Sequence, residues 1–195
     1  MTLFQIVLFG LTLYFAYEVY RHINALEDTQ KEEKRSKTEP KKSLSVVDPE
    51  YLEQKGDEAY AMGDFAHAYK LFEEAYAKDA DNVAALNKMA LMLDKLGRDV
   101  EAIERYKESL AKNPDDDTVY NALASTYKKI GRYDEAKECY EKALAIDDKY
   151  AVTYFNYANL AVDRGDIERA KELYAKAYAL DDSMIQAKFE LEKLS

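Results

Sequence analysis

Two histidines, one cysteine and 38 carboxylates are the groups from which this 195-residue chain could build a catalytic or metal site. His22 and His67 lie far apart, and neither has a carboxylate, cysteine or second histidine at ligand spacing beside it. A nucleophilic thiol needs a neighbouring cation, whereas Cys139 sits among Glu138, Tyr140 and Glu141, which hold its proton on. The acidic runs DADN (79–82) and DDD (115–117) have the composition of calcium loops but lack the central glycine and the glutamate at the twelfth position. Turn and helix N-cap chemistry accounts for them instead. There is no glycine-rich phosphate loop. These residues predict no enzyme, no metal, no cofactor and no small-molecule substrate.

The elements that carry these residues follow from how composition changes along the chain. Net charge is -10, and an acidic chain repels phosphate backbones, so nucleic acid is not an expected partner. A single cysteine excludes a disulfide framework, and six glycines with three prolines argue against a loop-rich β sandwich. Three zones separate. Residues 1–20 carry one charge, Glu18. Residues 21–45 carry seven Lys/Arg against five Asp/Glu, and residues 46–195 carry 21 against 32.

Residues 1–20 (MTLFQIVLFGLTLYFAYEVY) are read as an uncleaved transmembrane anchor. Seventeen uncharged residues at ~1.5 Å rise span about 26 Å, the short side of a hydrocarbon core. Tyr14, Tyr17 and Tyr20 gather toward one end like an interfacial belt, and Glu18 can reach the headgroups beside Arg21. The alternatives are a signal peptide and a buried core helix. A signal peptide needs a basic n-region and a small-x-small cleavage site, but nothing basic precedes Arg21 and bulky side chains fill the stretch where cleavage would fall. Residues 21–47, with mixed charge, Pro40 and no apolar periodicity, read as a charged tether rather than a polybasic lipid-binding patch, since Glu32, Glu33 and Glu39 interleave with the lysines. Lys/Arg after the span and none before it turn the bulk of the chain toward the cytoplasm. The periplasmic side is the alternative.

From residue 49 a period of 34 governs the chain. Gly63, Gly97, Gly131 and Gly165 keep it, as do Ala68, Ala102, Ala136 and Ala170. The aromatics Phe72, Tyr106, Tyr140 and Tyr174 keep it too, and so does the small column Ala75, Ser109, Ala143, Ala177. The units are 49–82, 83–116, 117–150 and 151–184. Each reads as two helices: Val119, Tyr120, Leu123, Ala124 and Tyr127 form one apolar stripe, Gly131 ends that helix, and Ala136, Tyr140, Ala143 and Leu144 form the next. No single pair buries its own faces, so the pairs must stack.

GRYDEAKECYEKALAIDD (131–148) and GDFAHAYKLFEEAYAKDA (63–80) carry the order of glycine, aromatic or acid, alanine, aromatic, alanine by which the chain resembles the tetratricopeptide repeat family. The departures are mild: the loop proline appears only as Pro114, and Leu52, Leu86, Tyr120 and Tyr154 replace the first-helix tryptophan. The resemblance implies an all-α, right-handed α-solenoid of four TPR helix pairs over 48–184. A capping helix at 185–195 follows, with Leu191 and Leu194 covering repeat four and Glu190, Glu192 and Lys193 facing water.

In that family, first helices line a concave groove that binds peptides or helical segments. Mapped here, the groove residues are Asn87, Lys88, Lys95, Asn121, Lys128, Lys129, Phe155, Asn156 and Asn159, with Phe189 from the cap. The spaced asparagines suit an extended backbone, the four lysines gather positive charge for carboxylates, and Phe155 and Phe189 offer exposed apolar surface. Glu53 and Asp57 stand where the family's chaperone-tail clamp has its first Lys and Asn, which counts against that ligand. The implied role is a membrane-tethered scaffold for a protein or peptide partner. Anchor plus repeats is similar to bacterial proteins that oversee envelope assembly, without the Cys-rich metal module of one such group. The alternatives are a periplasmic assembly factor or chaperone for secreted or cofactor-receiving proteins, and a receptor subunit of organelle import.

Overall fold

A computed structural model describes residues 48–195, and Val47–Ser195 forms one unit. The anchor expected over 1–20 and the tether over 21–47 lie outside the described residues. Among those described, no helix is long and apolar enough to cross a membrane.

Nine helices make up the described chain: α1 Pro49–Ala61, α2 Phe65–Lys78, α3 Val83–Lys95, α4 Asp99–Lys112, α5 Asp117–Lys129, α6 Tyr133–Ile146, α7 Ala151–Asp163, α8 Ile167–Leu180 and α9 Ile185–Lys193. They form an all-α solenoid of antiparallel pairs, in which odd-numbered helices are the first of each pair and even-numbered ones the second.

Helix starts are set by side-chain caps. Asp48, Asp64, Asn82, Asp116 and Asp166 each accept a hydrogen bond from a backbone N–H of the first turn at 2.9–3.2 Å. The two acidic runs singled out above are these turns: Asp79 accepts from the Asp81 N–H, while Asn82 and Asp116 cap α3 and α5. First helices stop at glycine. Gly131 takes φ +77°, and the Arg132 N–H then donates back to the Tyr127 carbonyl at 2.9 Å, closing the last turn of α5.

The alanine column (Ala68, Ala102, Ala136, Ala170) is wholly buried, and so is the second small column with Ser109 in it. Small side chains there let the two backbones of a pair approach, and the aromatic column fills the space between. Phe72, Tyr106, Tyr140 and Tyr174 are all buried, each worth about 1.5–3 kcal/mol relative to exposure. Aromatics also join one pair to the next: Tyr140 of α6 stacks on Tyr157 of α7 with ring centroids 5.5 Å apart.

The two ends differ from the interior. Where later repeats bury Met89, Leu123 and Tyr157, α1 has Lys55; where they bury Met92, Thr126 and Leu160, it has Glu58. Lys55 and Glu58 pair with each other at 2.6 Å in solvent. At the far end Ala187 is buried, and Leu191 and Leu194 pack on the core of repeat four. Glu190 departs from the expectation of a water-facing residue: it is half-buried and paired with Lys193 at 3.2 Å.

Candidate functional site

First helices of successive pairs lie side by side, and their side chains meet by one rule of register. Lys88 reaches Glu53 at 3.4 Å, Asn156 donates to Asn121 at 3.2 Å, Lys129 lies 3.5 Å from Asp94, and Lys128 lies 3.0 Å from Asp163. Every one of these pairs is 35 residues apart, one more than the repeat period. The fifth position of one first helix therefore meets the sixth of the next in a lower rung, and the twelfth meets the thirteenth in an upper rung.

These rungs change the electrostatics expected from sequence. Three of the four groove lysines are held by carboxylates of the same domain rather than offered to a ligand. Lys88 also pairs with Asp57 at 2.8 Å, and Lys129 binds the Asp99 carboxylate at 2.6 Å and the Asp94 carbonyl at 2.9 Å. The hydrogen bond to Asp99 is the main reason that the Lys129 pKa lies above its ordinary value. Lys95 is exposed, as Lys129 is, and alone of the four makes no ion pair among the described residues.

The asparagines divide in the same way. Asn121 and Asn156 bond each other, and Asn159 accepts from the Tyr174 hydroxyl at 2.5 Å. Asn87 keeps a buried amide oxygen with no hydrogen-bond donor among the described residues. Phe155 is half-buried, its ring tilted on Tyr174 at 5.6 Å, so it is not the bare apolar patch expected; Phe189 is, at 61% exposed. Sequence reasoning missed Asp94, Asp99 and Asp163 as partners of the lysines. For Asp94 and Asp163, opposite charges at the period plus one were the available signal; Asp99 lies 30 residues from Lys129, off that register.

Elsewhere among the described residues no groups converge on a second site. No group of three or more His, Cys, Asp or Glu is placed to hold a metal among the described residues, and His67 is exposed on α2. Cys139 lines a crevice of about 360 Å³ between pairs two and three with Tyr120, Tyr127, Glu135 and Lys142. Burial pushes its thiol up to about 11, so it stays protonated at neutral pH. Its acidic neighbours are secondary, and Lys142 opposes them.

Comparison with solved structures returns repeat proteins of the same fold. MamA from residue 41 onward, from Desulfovibrio magneticus RS-1, is 18% identical over 75% of this chain and 82% of that one, with a TM-score of 0.67. Pseudomonas aeruginosa pilF is 19% identical over 75% and 67%, with a TM-score of 0.69. TTC0263, a TPR protein of Thermus thermophilus, is 23% identical over 75% and 80%, with a TM-score of 0.66. No curated protein matches. At these identities the likeness is one of fold alone. The tetratricopeptide repeat model matches residues 85–149 and 115–183, which together span just over half of the sequence. The chain belongs to the tetratricopeptide repeat family.

Proposed function

We propose that this protein is a non-enzymatic, membrane-tethered scaffold that holds an extended or helical segment of a protein partner along its first helices. The observation that carries the reading is Phe189. It is a large apolar side chain, 61% exposed, and it continues on α9 the column that Phe155 occupies on α7. An exposed aromatic on α9, one repeat on from the half-buried Phe155 of α7, suits a partner side chain better than it suits water. Asn87, Asn121, Asn156 and Asn159 supply polar groups along the first helices, and the lysines Lys88, Lys95, Lys128 and Lys129 frame them.

The apolar run 1–20 supports tethering, and the following Lys/Arg support a cytoplasmic face. A tether beside the bilayer raises the effective concentration of a bound client near membrane machinery. C-terminal fusions to a reporter active only outside the cytoplasm and to one fluorescent only inside test the placement. Signal from the outside reporter moves the reading to a periplasmic assembly factor. Affinity capture with the full chain and with Phe189→Asp tests the groove: partners retained equally by both would sink it.

A further inference from the structure

The register of the rungs also places the connections. First helices that meet fifth position to sixth and twelfth to thirteenth run parallel, so the turn inside each pair falls at one end of the array and the loop between pairs at the other. The two ends differ in charge. The loops 79–82, 113–116, 147–150 and 181–184 carry eight Asp against Lys149, net -7. The turns 62–64, 96–98, 130–132 and 164–166 carry Asp64 and Asp166 against Arg98, Arg132 and Arg164, net +1. Both of those aspartates cap helices, and Lys95 adds an ammonium beside the second turn.

Every turn also exposes a large apolar side chain in it or next to it. Met62 is 83% exposed and Val100 68%, and Leu96, Tyr133 and Ile167 are each more than a third open to solvent. No part of the described chain overhangs them: a Cβ built on Gly63, Gly97, Gly131 or Gly165 would meet nothing within 4 Å. Tyr150 and Ile185 are exposed at the loop end as well, but there they stand among the carboxylates.

We infer that the turn end of the array lies against a lipid surface, with Met62, Leu96, Val100, Tyr133 and Ile167 entering the headgroup layer. This rests on the membrane-tethered reading given above and adds which end of the domain faces the bilayer. Charge decides between the ends, because a membrane with anionic lipid repels the loop end and leaves the turn end unopposed. Arg98 and Arg132 are paired with Glu101 and Glu135, so the turn end is near neutral rather than strongly basic, and apolar insertion supplies the attraction. The spacing suits lipid better than protein. The side chains stand singly, set apart by a helix-packing distance of about 8–10 Å, and a bilayer takes up each one separately. The chain enters α1 at the loop end, and the 27 residues of 21–47 are long enough at about 3.3 Å each to pass its length of about 20 Å.

The test uses the full chain in vesicles of phosphatidylcholine with a minor share of phosphatidylserine, doped with lipids that carry a nitroxide high on the acyl chain. A fluorophore is placed on Met62→Cys or, at the loop end, on Asp148→Cys; buried, protonated Cys139 reacts far more slowly than either. Quenching at position 62 is expected to be at least about threefold that at position 148. Val100→Asp with Tyr133→Asp should bring it down to the level of position 148. Both substitutions add a carboxylate to the first turn of a helix, so they should leave the melting temperature unchanged or raise it. Equal quenching at the two ends, or quenching at position 62 that ignores the double variant, overturns the inference and leaves the tether standing. A chain that does not float with the vesicles overturns both. A position 62 unquenched in these vesicles but shielded in native membranes assigns the turn end to a protein partner and overturns the lipid reading.

Discussion

The ring of Phe72 on α2 occupies the space that a β-carbon at position 56 of α1 would need. A Cβ built on Gly56 would lie 2.7 Å from Phe72 Cζ and 2.8 Å from Cδ1, well inside contact distance. The equivalent residues of the later repeats are Ala90, Ala124 and Ala158, all fully buried. Repeat one lacks that methyl, and the Phe72 ring fills its place, whereas the later repeats keep both the alanine and a tyrosine in the aromatic column.

Gly56→Ala is expected to destabilise the fold by about 1 kcal/mol net. The gain in helix propensity, about 1 kcal/mol, is outweighed by about 1–3 kcal/mol of overpacking against a ring with nowhere to go. Combining it with Phe72→Leu tests the cause. The double variant should lose less than the sum of the two single losses in chemical denaturation, because they act on one shared space.

Gly131 has open space around its α-carbon but φ +77°. Gly131→Ala should therefore cost about 1–2 kcal/mol through backbone strain alone. Gly131→Asn should cost less, since asparagine tolerates the left-handed region. Equal losses for the two variants in thermal melts would show that packing, not backbone conformation, sets the penalty.

The 34-residue columns made the helix pairs legible because burial on a repeated lattice demands the same side-chain size at the same place. Ala68 and Ala136 could be read as core from spacing, and both are fully buried. The groove was legible in position but not in state. Lys88, Lys128 and Lys129 looked available because their carboxylates sit 35 residues away, on another helix, and only the offset between neighbouring helices brings them together. Phe155 was misjudged for a similar reason: the ring that shields it, Tyr174, belongs to the second helix of its own pair.

Alkali should unfold the domain through its tyrosines. Burial pushes Tyr140, Tyr157 and Tyr174 each up to about 12, and Tyr106 upward as well, from an ordinary value of 10.0. Above pH 10 the unfolded chain releases these protons while the folded one keeps them, so the unfolded state binds fewer. Stability is then full below about pH 10 and falls as pH rises toward about 12. Melting temperatures across that window should drop as the ring resonances of these four buried tyrosines report tyrosinate. Ionisation of Tyr106, Tyr140, Tyr157 or Tyr174 in a still-folded domain near pH 10 would contradict the shift.

Cys139, 7% exposed and held protonated by burial, should react with a disulfide reagent at neutral pH at least about 100-fold more slowly in the native domain than in denaturant. A native rate close to the denatured one would mean that the crevice beside Lys142 opens readily.

Lys129→Met should cost under about 1 kcal/mol, because its pairs with Asp94 and Asp99 are half in solvent. The difference from the parent chain should shrink as salt is raised.

The pairing of Lys55 with Glu58 on the outer side of α1 also bears on how such an array can change in length. Another helix pair added in front would have to strip water from two charges where interior junctions bury Met89 and Met92 or Tyr157 and Leu160. Duplication of a unit can be accepted between repeats, where both new surfaces match old ones, but not ahead of the first. The leading repeat thus keeps the count, and any longer descendant of this chain would carry its extra pairs on the inside.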